Sequence, residues 1–125
     1  MRITIGVTSL DEALALIDSG ADELYLGYVP TSWSDSFGTL IWPNRRPWKK
    51  ANISKKSDLA MITAHAMRNR VKVFVTLNEA YSCAELESFY RNIIQDCEDS
   101  GVHGYIVGDL SILFCITEIA SNKEL

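Results

Sequence analysis

An α/β fold of four βα units around a parallel sheet is what this 125-residue sequence predicts, and three observations predict it. The first is the stretch Val71 to Asn78, V-K-V-F-V-T-L-N, a short apolar run rich in β-branched and aromatic residues. Its length and composition are those of a strand buried on both faces, as in a parallel sheet covered by helices. The second is a strict alternation of strand-like and helix-like segments along the chain. The third is an internal echo. Asp18-Ser19-Gly20-Ala21 leading to Leu24-Tyr25-Leu26-Gly27 is matched by Asp99-Ser100-Gly101-Val102 leading to Tyr105-Ile106-Val107-Gly108. Helix end, glycine, strand and glycine recur in one frame.

The elements follow in order. Ile3 to Val7 reads as the first strand. Ser9 with Glu12 forms a capping box that starts a helix from Leu10 to Ser19, with Leu10, Ala13, Leu14 and Ile17 toward the sheet. Gly20 stops it, and Glu23 to Gly27 is the second strand. Residues 28–53 break the rhythm, because they hold all three prolines and all three tryptophans of the chain. So long a loop in a compact domain is usually functional or disordered, and the tryptophans argue against disorder. It follows a strand, which places it on the carboxyl face of the sheet. Ser54 or Ser57 then caps a helix to about Asn69, buried through Leu59, Ile62 and Ala66. After the strand 71–78, Ser82 and Glu85 make a second capping box for a helix with the apolar stripe Leu86, Phe89, Tyr90, Ile93, Ile94 and Cys97, ending at Gly101. His103 to Val107 is the fourth strand, and Ser111 to about Ser121 the fourth helix.

Alternating units of this kind form either an open doubly wound sheet or a barrel. After the first strand the chain reads Gly6-Val7-Thr8-Ser9-Leu10, without the glycine fingerprint of dinucleotide-binding sheets, and this favours the barrel. A complete (βα)8 barrel of the TIM type needs about 250 residues, so the 125 residues form one partial barrel domain, resembling the first half.

Charge is unevenly placed. Residues 1–78 carry ten Lys or Arg against seven acids, and residues 79–125 carry two against nine. Arg45, Arg46, Lys49, Lys50, Lys55 and Lys56 fall within twelve residues that contain no acid. No apolar run approaches the roughly 18 residues that span a bilayer, and the start runs straight into a strand, so a cytoplasmic location without membrane contact is expected. Cys83, Cys97 and Cys115 match neither a disulfide framework nor a compact metal motif, and free buried thiols are expected.

Four segments carry a resemblance: Ser19-Gly20-Ala21-Asp22-Glu23-Leu24-Tyr25-Leu26-Gly27, Ala64-His65, Lys72-Val73-Phe74-Val75-Thr76-Leu77-Asn78, and Gly104-Tyr105-Ile106-Val107-Gly108-Asp109. In this order they resemble the amino-terminal part of the collagenase-like peptidases, the family classed as "U thirty-two" peptidases of unknown catalytic type. The resemblance implies a barrel-type fold and one of two chemistries. Some members are described as proteases, including collagen-degrading ones. Others resemble oxygen-independent hydroxylases that act on a quinone precursor or on RNA through an iron-sulfur cluster. The cluster cysteines of those hydroxylases lie later in the chain and do not carry over to Cys83, Cys97 or Cys115, so no cofactor is assigned to this chain. The stretch Trp42-Pro43-Asn44-Arg45-Arg46-Pro47-Trp48 and its flanks are longer and more basic than the family's usual arginine-containing segment.

Candidate site residues follow from position in the predicted barrel, whose reacting groups stand at the carboxyl ends of strands. Asn78 could orient a substrate carbonyl, and Asp109 could act as general base or bind a cation. Alternatively Asn78 ends its strand through a local bond and Asp109 caps the last helix. Glu79 is a further candidate for substrate binding, although one residue on from Asn78 it points the other way. Arg45 and Arg46 offer planar forks for carboxylate or phosphate, and Trp48 or Trp42 could stack a ring, unless the basic face is merely solvated and the tryptophans pack the loop down. His65 is expected to pack against the sheet, and His103 opens a strand at the opposite, stability face. The expected function is that of an incomplete peptidase-family hydrolase, inactive alone, acting on a peptide or small molecule. Two alternatives stand beside it. One is a half-barrel that pairs with a second copy and holds an anion or RNA on its basic loop. The other is a fragment of an iron-sulfur hydroxylase.

Overall fold

The computed structural model describes residues 1–38, 41–46, 48–79 and 83–120, with the side chains of Trp48 and Lys49 outside the description. Its elements are β1 (Thr4–Gly6), α1 (Leu10–Asp18), β2 (Glu23–Tyr28), α2 (Thr31–Phe37), α3 (Trp48–Ala51), β3 (Asn52–Ile53), α4 (Lys56–Arg68), β4 (Lys72–Leu77), a 3-10 turn (Ala84–Leu86), α5 (Glu87–Ser100), β5 (Gly104–Val107) and α6 (Leu110–Ile119). Every pairing is parallel, and the strand order is β1-β2-β4-β5, with the two residues of β3 added to the end of β2. Consecutive units are therefore neighbours, α1 packs on α4, α4 on α5 and α5 on α6. A doubly wound sheet would reverse the order and divide the helices between two faces. The single winding is that of a partial barrel.

Alternation along the strands sorts the two faces. Val7, Leu24, Leu26, Tyr28, Val73, Val75, Leu77 and Tyr105 are buried toward the helices. Gly6, Tyr25, Gly27, Phe74, Thr76 and Ile106 lie on the other face, where Ile106 keeps 41% of its surface exposed. That face is the one a closed barrel would bury.

The predicted echo is a shared helix end. Gly20 and Gly101 both take positive φ, and the next residue's N–H reaches back to the last turn, Ala21 to the Leu16 carbonyl and Val102 to that of Cys97. A third helix ends the same way at Arg70, φ 58°, with the Val71 N–H donated to the Ala66 carbonyl. No glycine marks it.

Three local expectations are corrected. The 28–53 stretch is not an irregular loop, since it carries α2, α3 and β3. The reason is Trp33, fully buried, whose ring meets Phe37, Phe89 and Tyr90 at centroid distances of 5.1, 6.1 and 5.2 Å and seats α2 on α5. Neither Ser54 nor Ser57 caps α4. Its N-cap is Lys55, without a side-chain bond, and the start is held instead by Lys56, whose Nζ meets Asp99 at 2.8 Å and Asp96 at 3.2 Å on α5. Ser82 lies outside the described residues, and the turn before α5 opens at Cys83. At α1 the Ser9 hydroxyl does accept the Glu12 N–H at 3.2 Å, but the Glu12 carboxylate accepts from the Thr8 hydroxyl.

Candidate functional site at the carboxyl ends of the strands

Register brings the acidic half of the site together. Leu77 pairs with Val107, so Asn78 and Gly108 leave the sheet side by side and Glu79 and Asp109 follow them. The approach is closer than a side chain permits: a Cβ on Gly108 would lie 2.6 Å from the Asn78 carbonyl oxygen. Asp109 is the N-cap of α6, and its Oδ1 accepts from the Ser111 N–H at 2.8 Å and from the Ser111 hydroxyl at 2.6 Å. Its Oδ2 has no bond among the described residues. Asn78 Oδ1 accepts the Arg45 N–H at 3.1 Å, which leaves its amide N–H groups unengaged among the described residues. The capping role foreseen for Asp109 is present, whereas the Asn78 bond is not the local one foreseen but reaches the Arg45 backbone across the loop, and each residue retains one chemical end unused among the described residues.

Tyr90 was legible only as part of the apolar stripe of α5, yet it belongs to this region. Its side chain is 1% exposed, and its hydroxyl has no hydrogen-bond partner among the described residues. Burial first, and then the Asp109 and Glu79 carboxylates, push its pKa up to about 12. It stays a neutral hydroxyl throughout the physiological range.

The loop before β3 supplies the other half. Asn44 and Asn52, 2% and 7% exposed, are joined by an Nδ2 to Oδ1 bond of 2.8 Å. They occupy the space over Gly27, where a Cβ would lie 1.8 Å from Asn52 Oδ1. Asn44 Oδ1 accepts the Arg46 N–H at 3.0 Å. The Arg46 guanidinium donates from Nε to the Ala51 carbonyl at 2.9 Å and from Nη2 to the Val7 carbonyl at 2.6 Å, and lies 5.6 Å from the centre of the Tyr25 ring. Arg46 thus ties the loop to the end of β1 and stands beside β2. Arg45 is exposed.

The remaining candidates fall elsewhere. Trp48 opens α3, and its stacking concerns a side chain outside the described residues. Trp42 is half-buried, with an Nε1 that finds no partner among the described residues. His65 does not pack on the sheet: its Nε2 meets Asp18 Oδ1 at 2.7 Å and bridges α4 to α1, because the apolar residues 62 and 66 take the inward face of the helix. The His103 ring packs edge-on against Phe74 at the opposite end of the strands. The cysteines are free, Cys97 and Cys115 buried as expected but Cys83 exposed at the turn before α5. Among the described residues no group of three or more His, Cys, Asp or Glu is placed to hold a metal ion. None of their helices is long and apolar enough to cross a membrane.

The sequence pattern of peptidase family U32 matches residues 8–125. The chain belongs to peptidase family U32. No curated protein matches this U32 chain. A solved structure described as "Structure of CpGH84B" is similar to it with a TM-score of 0.53 at 15% identity, over 98% of this chain and 25% of that one. Identity so low shows the fold alone, and the U32 chain spans a quarter of that structure's length.

Proposed function

We propose that this U32 chain forms the first half of a collagenase-like hydrolase, inactive alone, whose site lies at the carboxyl ends of its strands and takes a peptide. The observation that carries the reading is the convergence of Asn78 and Asp109. Parallel register supports it by bringing Asn78 level with Gly108, the residue before Asp109, and among the described residues the Asn78 amide N–H groups and Asp109 Oδ2 are unused. In this reading the Asn78 amide donates to the substrate carbonyl, and Asp109 Oδ2 accepts a proton from the attacking water while Oδ1 keeps the helix capped. The outer edges of β1 and β5 each have a single strand neighbour among the described residues, and there the remaining units would join. An RNA-holding role for the basic run draws less support, since Lys56 is already paired with Asp96 and Asp99.

The test is made on the product as its native cell makes it, recovered with an antibody to residues 31–38. Its mass should be roughly twice the chain's 14.0 kDa or more, as a complete barrel requires. It should release new amino groups from gelatin, and Asp109→Asn should lower that rate about a hundredfold while leaving the melting temperature in place, because Asn caps a helix as well as Asp. A product of 14.0 kDa, or hydrolysis indifferent to Asp109→Asn, would overturn the proposal.

A further inference from the structure

Among the described residues Arg46 is held as a cation without a counter-ion. Arg2, Lys56 and Arg91 each pair with a carboxylate, at 3.2, 2.8 and 2.6 Å, whereas Arg46 has no ion pair among the described residues. Its side chain is half-buried, and its partners are two carbonyl oxygens and an aromatic ring, none of which removes charge. The fork is fixed from several sides. Gly6 lets Tyr25 lie across β1, where a Cβ would meet the ring at 2.7 Å, and so the ring reaches the guanidinium. The buried pair of Asn44 and Asn52 fixes the backbone from which Arg46 springs. A guanidinium carries five N–H groups, and the two carbonyls take one each. Three remain without a partner among the described residues, on a planar group already oriented and partly stripped of water. This is the arrangement that binds carboxylate or phosphate oxygens with the least loss of side-chain freedom.

We infer that the Arg46 guanidinium, backed by Tyr25, binds an anionic group, carboxylate or phosphate, of the molecule that occupies the carboxyl face. This deepens the reading of that face as a substrate site and rests on it. It fixes the polarity of the substrate: the anionic group lies over β1 and β2, and the reacting part lies over β4 and β5. Asp109 and Glu79 repel an anion from the second half and so set the direction. Arg45, exposed, has no part in the contact.

The whole chain, labelled with nitrogen-15, is titrated at constant ionic strength with inorganic phosphate in one arm and succinate in the other, following the Arg46 Nε–H resonance. A saturable shift is expected in at least one arm, with a Kd of about 1 mM as befits one small anion on one fork. Arg46→Lys should weaken binding roughly tenfold, since the fork is lost while the charge stays, and Arg45→Gln should leave it within about twofold. Tyr25→Leu, which leaves Arg46 in place, should weaken it by a smaller factor and settles the matter if Arg46→Lys fails to fold. Saturation by phosphate alone assigns a phosphorylated ligand, and saturation by succinate alone assigns a carboxylate. No shift at Arg46 in either arm, or an equal loss with Arg45→Gln, would overturn the inference. Because no turnover is measured, its failure is separate from that of the hydrolase. Anion binding without gelatin hydrolysis would sink the reaction only, and hydrolysis without anion binding would sink the anion site only.

Discussion

Replacing Gly27 by alanine tests the join between loop and sheet. The new methyl would lie 1.8 Å from Asn52 Oδ1 and 2.6 Å from Asn44 Nδ2, and both asparagines are buried, so the pair must part to admit it. Forcing extra volume into a packed site costs about 1–3 kcal/mol, and parting the Asn44–Asn52 hydrogen bond inside the protein costs about 1–3 kcal/mol more. The two overlap, because the same movement relieves the one and breaks the other. A net loss of about 3 kcal/mol is expected, or roughly 10 °C in Tm for a domain of this size. Urea unfolding followed by circular dichroism gives the loss. Tryptophan emission in native buffer should shift to the red as Trp42 loosens with its loop. A second comparison isolates the contact. In an Asn52→Ala background the atom that the methyl strikes is gone, so Gly27→Ala should cost about 1–2 kcal/mol less than it does alone. A loss below about 1 kcal/mol with unchanged emission, or full additivity with Asn52→Ala, would refute the claim that the Asn pair is wedged over Gly27.

Three further outcomes follow from the same structure. Tyr90→Phe removes a buried hydroxyl that has no partner among the described residues, and should stabilise the chain by about 1 kcal/mol in urea unfolding, whereas a hydroxyl with a role in the fold would give a loss. The folded-state pKa of Tyr90, about 12, lies above the ordinary 10.0, so its contribution is intact below pH 10 and is lost as pH rises to about 12. The stability of Tyr90→Phe should accordingly fall less steeply than that of the native chain over that interval. Arg70→Gly should stabilise by about 0.5 kcal/mol, the balance between relief of a left-handed backbone near 1 kcal/mol and the greater freedom of glycine in the unfolded chain. A loss of about 1 kcal/mol or more would show that the Arg70 side chain holds the helix end in some other way.

Much of the fold was legible because it rests on local signals. The strand Lys72–Leu77, the stripe of α5, the Ser9 cap and the glycine ends at Gly20 and Gly101 are each written within a dozen residues, where period and backbone preference act directly. The left-handed end at Arg70 was hidden because its residue disfavours that conformation and neighbouring contacts impose it. Helix α2 was hidden because Trp33 earns its burial against Phe89 and Tyr90, more than fifty residues away.

The candidate site divides in the same way. Asn78 and Asp109 could be placed from sequence alone, since each follows a recognisable strand and strand ends are where a parallel βα sheet gathers its polar groups. The basic run was equally visible as composition. Its use was not: whether Arg46 is solvated, paired or poised depends on Val7, 39 residues earlier, on the Tyr25 ring and on the room left by Gly6. Nor could the stripe show that the Tyr90 hydroxyl lies buried near two carboxylates. Periodicity specifies which face of an element is apolar. Which distant groups meet a given polar atom is set only when the sheet pairs in register and the loop closes over it.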